Sequence, residues 1–240
     1  MNPRTARLTP RQTRALAGLV QQRAMPIDVF AEFLGCGPNR AYETAAALRG
    51  HGLARELTSL GSGPKWVVPT RQAVTRYFGR SLPEWTPSSL WSVRGRAAAQ
   101  ARVILGATES GAWISERELA LDRTERGAYP YDGQMVRTSN PFALRTSRDV
   151  ASPVWAVRTD VARVSNPRQL VASLRTAVAQ AENDGCTVVL WVCTGAHRPE
   201  TVYAAAKDIR SDLALTAATP DEIAGRYKRI HPVQSLPKGA

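Results

Sequence analysis

Residues 26–50 read PIDVFAEFLGCGPNRAYETAAALRG, and this stretch decides how the first third of the chain folds. Pro26 opens a run in which Ile27, Phe30, Phe33 and Leu34 fall on one helical face. Gly35-Cys36-Gly37 stops it. Pro38 or Asn39 starts another helix through about Arg49, with Ala41, Ala45 and Leu48 inward, and Gly50-His51-Gly52 ends that one. Two short helices around a glycine-bearing turn are a helix-turn-helix arrangement.

Upstream, Thr9-Pro10 is an N-cap followed by proline at the first helical position, predicting a helix to about Gln22 with Leu16, Leu19 and Val20 on its apolar face. Downstream, Leu53 to Leu57 alternates as a strand, Gly61-Ser62-Gly63-Pro64 is a hairpin tip, and Lys65 to Val68 is the return strand. Thr70 then caps a fourth helix, Arg71 to Phe78. Three helices, a hairpin and a helix within residues 1–80 predict a winged helix-turn-helix that binds DNA. A small helical bundle with an incidental hairpin is the structural alternative.

Charge points the same way. The 240-residue chain carries 32 Lys/Arg against 20 Asp/Glu, a net of +12, and 28 of those bases are Arg. A protein this basic meets a polyanion, either nucleic acid or an anionic membrane surface. Residues 1–80 hold twelve basic and four acidic side chains, a net of +8, which leaves +4 for residues 81–240. A genome-wide preference for Arg would spread evenly, so the concentration argues for double-stranded DNA as the partner of the first domain.

Groove geometry assigns roles to individual residues. The third helix would present its N-terminal turn to base edges, with Asn39 and Arg40 first and Glu43 and Thr44 one turn on. Arg bonds guanine, Asn adenine and Glu the cytosine amino group. Ser62 and Lys65 on the hairpin suit phosphate or the minor groove, and Arg7, Arg11, Arg14 and Arg71 suit phosphates. Tyr42 is open between packing and a sugar contact.

No apolar run reaches transmembrane length, and the first twelve residues, MNPRTARLTPRQ, lack the apolar core of a secretory signal. Cys36, Cys186 and Cys193 match no zinc spacing, so reduced thiols in a cytoplasmic, nucleoid-associated protein are expected. The Pro/Ser-rich stretch within residues 81–91 reads as a linker, and residues 231–240 read as a frayed tail.

Residues 92–230 read as a small α/β domain with a mixed sheet, giving an α+β chain overall. Arg94 to Leu105 is an alanine-rich helix, and Ser115 and Glu118 stand at capping-box spacing. Tyr129 to Gly133 turns into a short strand, Gln134 to Arg137, and a second strand runs from Val154 to near Val164. Asn166-Pro167 starts a long amphipathic helix closed by Gly185. Cys186 to Cys193 is continuously apolar, as in a strand buried on both faces. Pro199 opens a helix, Leu213 to Ala217 is a strand, and Pro220 starts a last helix.

In this half, Trp113-Ile-Ser-Glu-Arg-Glu-Leu119, Tyr129-Pro-Tyr-Asp-Gly133 and Val157-Arg-Thr-Asp-Val161 before a long helix resemble the replication-relaxation family. These are actinobacterial plasmid and mobile-element proteins that pair a winged helix with a restriction-endonuclease-like domain. The resemblance implies a nuclease metal site with Asp132 as one ligand and an acidic Glu-x-Glu motif as the next. Here that motif stands as Arg158-Thr159-Asp160, and no lysine follows within reach. An arginine at a ligand position repels a divalent cation, so the site reads as degenerate and no cofactor is expected. Asp132 in an Asp-Gly turn and Asp160 at a strand end also have plain structural explanations.

The reading is therefore a DNA-binding protein of a plasmid, phage or mobile element, acting in transcriptional or replication control. Its second domain would serve dimerisation, phosphate contacts or partner recruitment. One alternative is a nuclease using Asp132 and Asp160 with Mg²⁺; another is a regulator whose second domain senses a small ligand. His197 reads as part of a polar loop, and Cys193 lacks an evident partner base.

Overall fold

The computed structural model describes residues 7–60, 63–80, 82, 88–106, 111–121, 129–137 and 153–230. Ser62, most of the expected linker, and the tail at 231–240 lie outside the described residues. The chain divides into two units: residues 1–103 with 114–133, and residues 104–113 with 134–240. The sequence reading closes the first domain at residue 80, so the contacts draw a larger first unit.

In unit 1, α1 (Pro10–Gln22) starts at a full capping box. Thr9 accepts from the Gln12 amide, and the Gln12 side chain accepts from the Thr9 amide. Two residues, β1 (Met25–Pro26), lead into α2 (Ile27–Leu34), which Gly35 ends in the left-handed region at φ 62°. Then α3 (Pro38–Gly50) follows, with Gly37 as N-cap and no side-chain cap bond. β2 (Trp66–Val67) pairs antiparallel with β1, Met25 against Val67 and Pro26 against Trp66. α4 (Arg71–Phe78) is capped by the Thr70 hydroxyl.

The expected strand Leu53–Leu57 is not continuous. It survives as bridges, Ala54 to Pro69 and Thr58 to Trp66. Single bonds such as Arg55 N–H to Val68 O (2.9 Å) hold the two arms together. β1, which the sequence reading merges with the helix start, is the regular partner of the return strand instead. Leu16, Leu19, Phe30, Leu48 and Leu53 fill one buried core with Val67 and Val74.

α5 (Ser89–Gly106) begins five residues earlier than expected, inside the segment read as linker, and its residues through Val103 belong to unit 1. α6 (Glu116–Leu121) belongs there too, opened by the Ser115–Glu118 capping box. What binds both to α1 is buried arginine. Arg102 donates to the Gly18 carbonyl and to Gln21, and Arg117 donates to the Val20 carbonyl at 3.1 Å. Burial pushes each guanidinium down to about 10, so these charges are spent inside the unit.

Unit 2 carries a mixed five-stranded sheet in the order β3 (Gly111–Ser115), β4 (Gly133–Arg137), β5 (Pro153–Asp160), β6 (Val188–Cys193), β7 (Ala214–Ala218). The ends of β3 and β4 are counted with unit 1. β3 ends at Ser115, the cap residue that the Ser115–Glu118 spacing marks, and α6 starts directly after it. β5, β6 and β7 are parallel and consecutive, joined by α7 (Pro167–Asn183) and α8 (Pro199–Ala206). Leu170, Leu174 and Ala177 of α7 pack on Trp191 and Cys193 with Val202 of α8. β5 stops at Asp160, short of Val164, and α9 (Pro220–Ile230) follows β7. Among the described residues no helix is long and apolar enough to cross a membrane.

The loops after β5 and β6 touch at Gly195, where an added Cβ would stand 2.4 Å from the Ala162 carbonyl oxygen. Gly195→Ala should therefore lower stability by about 1–3 kcal/mol in urea unfolding, because backbone rather than a flexible side chain must yield. Gly225 inside α9 meets nothing within 4 Å. Gly225→Ala should raise stability by up to ~1 kcal/mol in the same assay, from helix propensity alone.

Candidate nucleic-acid interface

On α3 the solvent-facing strip is Asn39, Tyr42, Glu43 and Ala46, spaced i, i+3, i+4, i+7 and all exposed, with Arg40 exposed beside it. The opposite face buries Ala41, Ala45 and Leu48. Thr44 goes with the buried face, which corrects its assignment as a base-edge contact. It is 6% exposed, and its hydroxyl donates to the Arg40 carbonyl one turn back. Tyr42, by contrast, keeps 43% of its surface exposed and joins the strip.

Three of the predicted contact residues meet in one place. Arg11 and Arg14 of α1 and Arg40 of α3 line an open cleft of about 600 Å³ whose floor is the Gly35-Cys36-Gly37 turn. The Nε of Arg11 is buried there and has no hydrogen-bond partner among the described residues. Arg14 also lies over the Phe33 ring at 5.3 Å, which fixes its aliphatic stem. Lys65 is exposed just before β2, where its carbonyl accepts from the Ile27 amide at 2.8 Å. Arg71 is exposed in the first turn of α4, and Arg7 is exposed ahead of α1; with Lys65, they line no part of the cleft.

The two carboxylates of the expected degenerate site are each held by a different partner. In unit 1, Asp132 is 7% exposed and accepts from Arg94 Nε at 2.7 Å. Burial works against the Arg94 charge, yet Asp132 holds its pKa above the ordinary value. In unit 2, Asp160 closes β5 at 7% exposure, with Oδ2 2.6 Å from His197 Nδ1 and Oδ1 accepting from the Ala162 amide. Among the described residues no group of three or more His, Cys, Asp or Glu is arranged to hold a metal.

His197 departs from its expected place in a polar loop: it is 4% exposed. Its Nε2 accepts from the Asn166 amide at 3.3 Å, which can only donate, so the neutral ring carries its proton on Nδ1 and donates it to Asp160. Asn166 in turn caps α7 by accepting from the Gln169 amide. The end of β5, the loop after β6 and the start of α7 thus form one hydrogen-bonded unit. A lone histidine in a polar-looking loop gives no sign of such a partner, and Gly195-Ala196-His197 looks solvent-facing in sequence. Cys193 has no role as a nucleophile. Burial, then the Asp160 charge, push its thiol up to about 12.

Comparison of the chain with family models, with curated proteins and with solved structures gave no match.

The His197–Asp160 bond lends itself to a mutant cycle. His197→Ala leaves a buried carboxylate with one amide partner and should cost about 1–3 kcal/mol in urea unfolding. The His197→Ala, Asp160→Ala double variant should recover part of the summed loss, with a coupling of roughly 0.5–3 kcal/mol. Strict additivity would mean that the pair does not interact.

Proposed function

We propose that unit 1 is a winged helix-turn-helix that binds duplex DNA, with α3 as the helix that enters the major groove. The observation that carries this reading is the cleft shared by Arg11, Arg14 and Arg40. It places three cations where α1 and the start of α3 converge, beside an exposed polar strip. Phosphates are held at such helix starts by guanidinium groups and by backbone N–H groups left open, here without a side-chain cap at Gly37. The element order α1, β1, α2, α3, hairpin, α4 supports it as well, because a short strand before the second helix pairs with the return arm of the hairpin.

In this reading Arg11, Arg14, Arg71 and Lys65 contact phosphates, and Asn39, Arg40 and Glu43 address base edges. The role is transcriptional or replication control of a plasmid, phage or mobile element, as the resemblance to the replication-relaxation family implies. The second unit is then a restriction-endonuclease-like layer that binds rather than cuts. Support comes from Asp160 of that unit, which is engaged by His197, while Asp132 is counted with the first unit and held there by Arg94.

The test is selection of duplexes from a random pool by the full chain, followed by anisotropy titration across salt. An enriched sequence with a steep salt dependence is expected; no enrichment and a flat salt response would overturn the reading. On the enriched duplex, Arg40→Ala should cost about 1–3 kcal/mol and relax preference at one base position. Lys65→Ala should weaken all sequences alike and reduce the salt slope by about one unit.

A further inference from the structure

The sheet of unit 2 ends on β7, and among the described residues no strand pairs with its outer side. Such an edge offers a row of backbone N–H and C=O groups to any strand that comes alongside. Which residues offer them follows from the pairing with β6. The Ala214 amide donates to the Thr187 carbonyl at 3.1 Å, on the β6 side. Backbone groups alternate along a strand, so Thr216 and Ala218 also face β6, while Leu213, Leu215 and Ala217 face outward.

The outward groups are covered at both ends. Tyr203 of α8 sets its hydroxyl on Ala217, accepting from the amide at 3.0 Å and donating to the carbonyl at 3.2 Å. A tyrosine hydroxyl is both donor and acceptor, so one side chain closes both groups of one residue. Ser211 Oγ accepts from the Leu213 amide at 3.0 Å. Leu215, between the two, is covered by neither. Tyr203 acts from the surface, with 44% of its area exposed. The Leu215 and Ala217 side chains pack with Val202 of α8, so the edge presents their backbone.

Three outward residues centred on Leu215 are complementary to themselves. Turned antiparallel, a second copy sets Leu213 against Ala217 and Leu215 against Leu215, the two-fold arrangement that closes on itself. Tyr203 occupies the Ala217 position of that register, and the Leu215 pair alone would exchange too few hydrogen bonds to hold two chains. We propose that the outer edge of β7 is a self-pairing surface held shut by the Tyr203 hydroxyl, and that removing this hydroxyl lets two copies join antiparallel about Leu215. Only unit 2 residues take part, so the proposal stands or falls separately from DNA binding by unit 1.

Sedimentation velocity of the full chain over a range of concentrations, read together with amide hydrogen exchange, tests it. Tyr203→Phe keeps the ring and removes its bonds to the edge, and should self-associate at least about tenfold more tightly than the unaltered chain. In that variant, exchange at the Leu215 and Ala217 amides should slow as concentration rises. A bond that merely anchors α8 would instead speed exchange at Ala217 and leave association unchanged, and that result would overturn the proposal. So would association that leaves the Leu215 amide exchanging freely, or equal association in Val178→Ala, a buried truncation on α7 that lowers stability away from the edge. The unaltered chain supplies a test that needs no variant to fold: its Leu215 amide should exchange fast, and its Ala217 amide slowly, at every concentration. Slowing at Leu215 with concentration would mean that the edge is already open.

Discussion

Four residues tie the hairpin of unit 1 to its helices: Met25 and Pro26 pair with Val67 and Trp66, and all four are buried. The pairing is short because Pro26 has no N–H to give and serves at once as strand end and N-cap of α2. The next amide takes over, Ile27 N–H bonding to the Lys65 carbonyl at 2.8 Å. The start of α2 and the base of the return arm are therefore fixed by one set of bonds. α3 follows α2 through a three-residue turn, so the exposed strip on α3 and the position of Lys65 descend from the same anchor.

That anchor was not legible in sequence, and the reason is length. Two residues carry no period, and Met25-Pro26 reads as the approach to a helix. The helix starts were legible because caps are local chemistry. Thr9 with Gln12, Thr70 with Ala73, Ser115 with Glu118, and Asn166 with Gln169 all form the bonds that their spacing suggests. β6 was legible from the continuous apolar run Cys186 to Cys193, though the strand is shorter than the run, and β5 stops before the expected Val164. Tertiary pairing sets where a strand stops, and hydrophobicity alone does not report it.

Net charge is a poor guide to what an individual arginine does. Arg102 and Arg117 look like ordinary positive charges of a second domain, yet they are 8% and 7% exposed and bind α1 carbonyls within unit 1. Phe33 shows how one aromatic ring serves both kinds, with Arg14 over it at 5.3 Å and Arg102 at 4.9 Å. Arg102 is consumed by carbonyl bonds, whereas Arg14 extends to the cleft with Arg11 and Arg40. A guanidinium buried against carbonyls adds little to the field outside the molecule, so the DNA contact we propose rests on the few arginines that the fold leaves at the cleft.

The same distinction governs the acids. Reading Asp132 and Asp160 as remnants of one metal site treats two carboxylates as a set because they recur in a motif order. Each instead has a local task that needs its charge or its acceptors: Asp132 holds Arg94, and Asp160 orders His197 and the loop through Ala162.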